Sequence, residues 1–252
     1  MRTSRARDTG LSEPANNGAC VSAVGTNWSA YSLQGRTRER NSDAFAVYDK
    51  DGSQVFALGD GVGALPSSPI ASRAAVDAVV AAAELGQLDN DLNLDEVLSL
   101  VDESVGFAVE ESAEKGATTL VALSLSQDSE FVFSVGDSEA HEILANGESR
   151  LLHDLDHVPA QPNVLLAWID GHTPFDVHRR FLSRGESYLC LMSDGVPGSL
   201  SNQKVADLVR GNSIATAARA LVLAARDAGA NDDLTAIVIA PIGTGTVEPT
   251  NG

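Results

Sequence analysis

The chain has 252 residues, enough for one or two domains, and 43% of them are hydrophobic, which is ample for a packed core. Its formal net charge is −18, with 35 acidic residues against 17 basic ones, and this balance argues against a nucleic-acid-binding protein, which needs a basic face. The densest apolar stretch, residues 78–83, is far too short to span a membrane.

The ends of the chain differ in composition from its body. Residues 1–19 and 243–252 are polar, contain Gly and Pro and lack hydrophobic periodicity, so we expect a disordered N-terminus, one domain over residues 20–242 and a flexible tail. Residues 1–17 lack the apolar core of a signal peptide, and Cys20 and Cys190 do not make a disulfide framework. These features predict a cytoplasmic protein.

Strands open the predicted domain, and two helices follow them. Residues 20–31 and 43–48 alternate or run apolar, Asp51-Gly52 is a hairpin turn signal, and residues 54–58 return as a strand. The first helix is Ala-rich and covers residues 69–85. The second helix begins at Asn93, with Glu96 three residues later as in a capping box, and Lys115 and Gly116 mark its end.

Further strands, and then two more helices, complete the domain. Residues 117–125, 130–135, 139–144 and 148–152 form a meander with an Asn146-Gly147 turn, and the polar segment 153–163 is predicted to be a loop. Short strands near 165, at 175–179 and at 188–192 precede helices at 202–210 and 214–228 and a last strand at 234–240. This order predicts an α+β fold of packed sheets with helices on the outer faces.

Four aspartates stand at the ends of apolar runs, each beside a small residue or an amide. A carboxylate at the tip of a buried strand is unfavourable unless something pairs with it, and four of them suggest one shared partner. The natural partner for clustered carboxylates is a hard divalent cation, so the sequence indicates a metal-dependent enzyme. The four residues are Asp60, Asp137, Asp194 and Asp232.

These acidic turns and their neighbours resemble the motifs of the metal-dependent protein serine/threonine phosphatases, the type-2C or PPM family, in bacterial-type form. The resemblance runs from about Val21 to Ile239 and depends on seven motifs in the same order and spacing. The motifs are Arg38-Glu39-Arg40-Asn41-Ser42-Asp43, Gly59-Asp60-Gly61-Val62-Gly63, Gly116-Ala117-Thr118-Thr119, Val135-Gly136-Asp137-Ser138, Asp156-His157, Ser193-Asp194-Gly195 and Asp232-Asp233-Leu234-Thr235.

The resemblance implies a central β-sandwich of two antiparallel sheets flanked by helix pairs, with two Mn²⁺ or Mg²⁺ ions at one end. Asp60 would bridge the two ions, and the carbonyl of Gly61 would help to hold one of them. Asp194 and Asp232 would bind the other ion. An all-oxygen set suits such hard ions and disfavours zinc.

Two further aspartates and one arginine complete the implied site. Asp137 would add a third metal site shared with Asp194, and Asp43 would orient a metal-bound water. Arg38 would grip the phosphate with its planar fork while a metal-bound hydroxide attacks phosphorus in line, without a phosphoenzyme. Asp233 remains an alternative to Asp232, and Arg36 and Arg40 remain alternatives to Arg38.

The chain departs from the family pattern at several positions near this site. Ser42 replaces the usual Glu or Gln that contributes to the hydration shell of the second ion, and Val62 replaces a histidine that some members carry. Glu139 replaces a frequent arginine and adds negative charge. Because His153 and His157 have no second ligand at a suitable spacing, we interpret both as loop residues rather than metal ligands.

The leading interpretation is a monomeric protein phosphatase that hydrolyses phosphoserine and phosphothreonine and opposes a Ser/Thr kinase. An alternative is a pseudophosphatase or phosphoprotein-binding module with weak or no turnover, which Ser42 and Glu139 favour and the intact Asp60, Asp194 and Asp232 oppose. A third interpretation is a phosphatase for a small phosphorylated metabolite.

Overall fold

The computed structural model describes residues 20–50, 52–63, 65–127, 129–158, 161–183 and 185–241. The segments predicted to be disordered, 1–19 and 243–252, lie outside the described residues, so the predicted domain boundaries stay predictions. Within the described part, no helix is both long enough and apolar enough to cross a membrane.

Thirteen strands and four helices follow one another along the described chain. They are β1 (Cys20–Val24), β2 (Trp28–Leu33), β3 (Asp43–Lys50), β4 (Ser53–Asp60), α1 (Ser68–Glu84), α2 (Leu94–Ser112), β5 (Leu120–Leu125), β6 (Glu130–Val135), β7 (Glu139–Ile143), β8 (Ser149–Leu151), β9 (His157–Val158), β10 (Gln161–Leu165), β11 (His178–Phe181), β12 (Tyr188–Met192), α3 (Asn202–Gly211), α4 (Ile214–Asp227) and β13 (Leu234–Ile239).

Two antiparallel sheets carry the architecture. The six-stranded sheet has the order β1-β2-β13-β12-β7-β8, and the five-stranded sheet has the order β11-β6-β5-β4-β3. β2 therefore lies between its chain neighbour β1 and the last strand, β13, with Leu33 opposite Leu234. The short strands β9 and β10 form a separate hairpin.

Three apolar layers hold these elements together. Phe56, Leu123 and Leu191 belong to the layer between the two sheets, because alternate residues of each strand point to that side. Helices α1 and α2 pack on the outer face of the five-stranded sheet, and α3 and α4 pack on the outer face of the six-stranded sheet. The predicted helix–sheet–sheet–helix sandwich is confirmed.

Several predicted elements differ from the structure in their details. The predicted strand 20–31 is two strands, because the chain reverses at Gly25, whose N–H donates to the carbonyl of Trp28 at 2.9 Å. The predicted loop 153–163 contains β9 and the start of β10, and the strand predicted at 175–179 lies at His178–Phe181. Both differences concern short strands, whose pairing partners set their extent.

The ends of α2 also differ from the prediction. Asn93 precedes the helix, but its side chain makes no capping hydrogen bond, and Asp95 and Glu96 occupy the first turn instead. The helix ends at Ala113, which has a left-handed φ of 57°, before Lys115 and Gly116 are reached. At this end the hydroxyl of Ser112 donates to the carbonyl of Val109 at 2.6 Å, a side-chain bond that competes with the helical backbone bonds.

Candidate active site

The predicted aspartates meet at one end of the sandwich, where strand ends from both sheets converge. Asp43 begins β3 and Asp60 ends β4, and these two residues are register partners. Asp194 follows β12 in the other sheet, and Asp232 precedes β13. Asp137 lies in the turn from β6 to β7, which crosses from one sheet to the other.

Asp60 is the centre of this cluster. Burial raises its pKa well above the ordinary aspartate value, and the charges of Asp43, Asp194, Asp137 and Asp232 raise it further. Its backbone is fixed from the neighbouring strand, because its N–H donates to Thr119 Oγ1 at 3.1 Å and its carbonyl accepts from the N–H of Thr119 at 2.8 Å. The fold therefore fixes the backbone that carries this carboxylate.

Asp43 is buried, and only one of its two carboxylate oxygens has hydrogen-bond partners in the described structure. Its Oδ2 accepts hydrogen bonds from Ser193 Oγ at 2.8 Å and from Thr235 Oγ1 at 2.7 Å, which joins the two sheets. Among the described residues, its Oδ1 has no hydrogen-bond partner. Burial raises the pKa of Asp43 to about 7, and the nearby Asp233 and Asp194 add to the shift.

Burial and a neighbouring aspartate raise the pKa values of both Asp194 and Asp137. Burial and the charge of Asp232 raise the pKa of Asp194, although a hydrogen bond with Asp60 works in the other direction. Burial, with Asp194 as the main charged neighbour, raises the pKa of Asp137 to about 7. A cation placed among these carboxylates would relieve a repulsion that the protein side chains leave uncompensated.

Arg38 lies beside the cluster, where it forms an ion pair with an aspartate and not the contact with phosphate that the resemblance implies. Its Nε and Nη2 donate to Asp232 Oδ1 at 2.9 and 2.6 Å, and its Nη1 donates to the carbonyl of Gly63 at 2.7 Å. Burial alone would lower the pKa of Arg38, yet the adjacent Asp232, with Asp233 and Asp60, raises it. The predicted phosphate ligand and a predicted metal ligand thus bind each other.

The two alternative arginines make other contacts. Arg36 donates a hydrogen bond to the carbonyl of Arg226, and Arg40 donates one to the carbonyl of Pro66.

Asp233 has a positioning role that the sequence analysis missed. Its carboxylate is buried and accepts the N–H of Gly35 at 2.7 Å and the N–H of Ser42 at 2.8 Å. One side chain therefore closes both ends of the loop that carries Arg38. The Asp-Asp pair was the only sequence signal, because the two hydrogen bonds span more than 190 residues of chain and leave no local pattern.

The chain's departures from the family pattern are partly compensated. Glu139 is not a free charge, because its Oε2 lies 2.5 Å from Nε2 of the buried His141. Ser42 is buried, and its carbonyl accepts from the N–H of Gly61 at 3.1 Å and from Ser72 Oγ at 2.6 Å, so it braces the turn after Asp60. Neither contact supplies the carboxylate or amide that the family resemblance led us to expect at position 42.

The turn that carries Asp137 is held from a distant strand. Asp156 accepts the N–H of Gly136 on Oδ2 at 2.9 Å, and its Oδ1 lies 2.8 Å from Nε2 of His178 on β11. His157, predicted to be a loop residue, lies in β9. His153 lies in the loop between β8 and β9, as predicted, but it is buried there, with its Nε2 accepting the N–H of Ala140 at 3.1 Å.

The cluster fits a hard divalent cation in its chemistry. The donors are all oxygens, and one buried carboxylate oxygen of Asp43 has no other partner in the described structure. As the side chains stand, no three His, Cys, Asp or Glu residues of the described ranges form a ready metal-binding group. Arg38 already binds Oδ1 of Asp232, one of the predicted metal ligands.

The comparison with known families agrees with this arrangement of acidic turns. Residues 35–238 match the model of the family described as protein phosphatase 2C. The chain belongs to the protein phosphatase 2C family. It is therefore a protein-serine/threonine phosphatase by family, a hydrolase that acts on phosphorylated proteins with Mn²⁺ or Mg²⁺ as the cofactor.

Solved structures of bacterial phosphatases share its fold. Stp1 from Staphylococcus aureus matches with a TM-score of 0.75 and 20% identity, over 92% of this chain and 99% of that one. PstP/Ppp from Mycobacterium tuberculosis matches with a TM-score of 0.71 and 23% identity, over 85% of this chain and 97% of that one.

A structure of the PstP catalytic domain in complex with two manganese ions also matches, with a TM-score of 0.68 and 22% identity over 84% of this chain and 96% of that one. At such identities the likeness establishes the fold. No curated protein matches the chain.

Proposed function

We propose that the chain hydrolyses phosphoserine and phosphothreonine esters at a binuclear Mn²⁺ or Mg²⁺ centre, with Asp60, Gly61, Asp194 and Asp232 as the ligands. One observation carries this proposal: carboxylates from both sheets converge at one end of the sandwich, where their mutual repulsion raises their pKa values. Such an arrangement is unfavourable without a cation, and the family's cofactors are divalent cations.

The ions would neutralise the phosphoryl charge and acidify a water molecule. The protein's own residues would bind the phosphoryl group and orient the attacking water. Arg38 would hold two phosphoryl oxygens with its fork, and Asp43, braced by Ser193 and Thr235, would orient the attacking water with its free Oδ1. Asp137 is proposed as the side chain of an accessory third site. We further propose that the protein acts as a monomer and opposes a Ser/Thr kinase.

The test is Mn²⁺-dependent hydrolysis of p-nitrophenyl phosphate and of a phosphothreonine peptide. Asp194→Ala should remove nearly all metal-dependent activity, because it deletes a metal ligand. Asp227→Ala removes an exposed carboxylate at the end of α4 and should leave the activity unchanged. Wild-type protein without metal-dependent activity would disprove the proposal, and full activity of Asp194→Ala would disprove the site.

A pseudophosphatase is the second candidate. Two observations favour it: Ser42 supplies no charge to the second ion, and Arg38 is bound by Asp232. Such a protein would bind the phosphopeptide and the metal but would release no phosphate. Calorimetry of phosphopeptide binding, run beside the assay, separates this outcome from inactive or misfolded protein.

A further inference from the structure

The Arg38 side chain connects two of the loops that supply the proposed metal ligands. On one side its Nε and Nη2 hold Asp232 Oδ1, and on the other its Nη1 holds the carbonyl of Gly63, three residues after Asp60. The side chains of Arg38 and Asp232 are 29% and 41% exposed, so this bridge lies at the rim of the cluster. A ligand that enters the cluster meets it there.

Two glycines leave the space that this arginine occupies. A Cβ atom on Gly63 would lie 2.2 Å from Nη1 and 2.4 Å from Nη2 of Arg38. A Cβ atom on Gly35 would lie 2.7 Å from Cγ of the same side chain. Asp233 then fixes both ends of the loop through Gly35 and Ser42. The position of the guanidinium is thus set by its surroundings on several sides.

The bridge also saturates an oxygen that the proposed metal site needs. Asp232 Oδ1 accepts three hydrogen bonds, two from Arg38 and one from the N–H of Asp233 at 2.8 Å. These three donors crowd the oxygen, and two of them carry the positive charge of the guanidinium, so a cation competes with Arg38 for it. A cation on Asp232 Oδ2 instead would stand beside the guanidinium, and the two positive charges would repel each other.

We propose that Arg38 and a divalent cation compete for Asp232, so that the cation frees the fork of Arg38 for the phosphoryl group and the two ligands bind cooperatively. This inference rests on the proposed binuclear site. The ion pair between Arg38 and Asp232 opens when either the cation or the phosphoryl group binds. The free energy of opening is therefore spent on the first ligand, and the second ligand binds more tightly. Linkage requires that phosphate tightens Mn²⁺ binding by the same factor by which Mn²⁺ tightens phosphate binding.

The experiment measures Mn²⁺ binding by calorimetry, with the whole chain and no phosphate, for wild type and for Arg38→Met. Arg38→Met removes the competitor and should tighten the weaker Mn²⁺ site by about fivefold, the size expected for a partly exposed ion pair. Arg40→Met removes the same charge two residues later, from an arginine on the carbonyl of Pro66, and should change the affinity much less. Equal tightening by both variants would mean general charge repulsion and would overturn the proposal.

A second variant keeps the charge of Arg38. Gly63→Ala fills the space of the guanidinium, whose flexible end can move away, and should also tighten Mn²⁺ binding without phosphate. Inorganic phosphate, titrated with and without Mn²⁺, reports the coupling, which should be larger in wild type than in Gly63→Ala. Equal coupling in both proteins would contradict the competition.

The outcomes separate this inference from the function on which it rests. Wild type that neither binds Mn²⁺ nor releases phosphate would overturn both. Wild type that binds Mn²⁺ and hydrolyses the phosphopeptide, together with an Arg38→Met affinity for Mn²⁺ that is unchanged or weaker, would overturn the competition alone and leave the phosphatase assignment standing.

Discussion

His153 illustrates how a single buried side chain makes the fold sensitive to acid. Its Nε2 accepts the N–H of Ala140, so the proton of the neutral ring is on Nδ1, which lies 2.8 Å from the carbonyl of Asp154 and 2.9 Å from Ser134 Oγ. Burial lowers the pKa of His153 below the ordinary histidine value. A second proton would cost both burial energy and the hydrogen bond to Ala140.

We expect the contribution of His153 to the free energy of unfolding to fall as the pH drops below about 6.5, the histidine pKa in an unfolded chain, whereas carboxylates with a raised pKa, such as Asp43 and Asp137, act in the opposite direction. The unfolded state binds the proton first, so this contribution is complete above that pH and is lost toward the lower pKa of the folded state. The slope has an upper limit of about 1.4 kcal/mol per pH unit for one proton. Urea unfolding at pH 7.5 and 5.5 measures it.

Between these two pH values the free energy of unfolding of His153→Gln should show a smaller loss, or a larger gain, than that of wild type, because the carboxylates act alike in both proteins. His172→Gln, which replaces an exposed histidine, should behave as wild type does. The same pH dependence in wild type and in His153→Gln would refute the role of the buried ring.

At the residue scale, the sequence predicted local roles better than partners. Cys190, for example, is buried, as its place within the apolar run 188–192 indicates. The pairing of Arg38 with Asp232 could not be predicted, because 194 residues separate them and the family resemblance assigns one to phosphate and the other to metal. The buried setting of His153 was missed for the same reason, since its acceptor contact is with a neighbouring strand.

At the scale of elements, one close contact ties the segment between β10 and β11 to helix α2. Gly171 has a φ of +82°, and its N–H donates to Asp102 Oδ1 at 2.9 Å. A Cβ atom on Gly171 would lie 2.2 Å from the Cα of Gly106 on α2. Two residues earlier, Ile169 exchanges backbone hydrogen bonds with Thr118, which neighbours the Asp60 turn.

Gly171→Ala should therefore destabilise the protein by about 2 kcal/mol or more, because the left-handed backbone and the clash with a helix backbone act together. The measurement is urea unfolding. Gly211→Ala is the matched control, because a Cβ atom at the end of α3 meets nothing within 4 Å and alanine favours the helix by up to about 1 kcal/mol. If both variants had the stability of wild type, the close contact would not contribute to folding.

Elements with a local signal were predicted well. The hairpin between β3 and β4 and the four helices followed from turn residues and from helical spacing. The β9–β10 hairpin was not predicted, because its polar, proline-containing sequence has no alternation. The end of α2 was placed too late, since the helix ends at Ala113, where the hydroxyl of Ser112 competes with the helical backbone bonds, before its expected stop at Gly116.

At the scale of the whole molecule, the net charge of −18 opposes the approach of an anionic phosphoprotein. We expect a higher kcat/KM for phosphopeptides with basic neighbours than for acid-flanked peptides of the same length. The difference should shrink as NaCl is raised, because exposed charges are screened beyond about 8 Å at physiological ionic strength. Initial rates at low and high salt, with a neutral-flanked peptide as reference, measure this effect, and equal rates at low salt would count against it.

The sandwich itself was predictable from the order of strands and helices and from the family resemblance that the seven motifs carry. The electrostatic state of the site was not predictable, since it depends on which carboxylates face one another after two sheets have packed. Asp43 and Asp233 illustrate this, because their hydrogen bonds join residues that are between 150 and 198 positions apart.

The pairing of β2 with β13 has a consequence for synthesis on the ribosome. β2 is made among the first strands and β13 last, so the centre of the six-stranded sheet cannot form until residue 239 has left the exit tunnel. Until then Arg38 lacks its ion-pair partner Asp232, and Asp43 lacks the hydrogen bond from Thr235. A nascent or truncated chain that lacks β13 therefore has no assembled acidic centre.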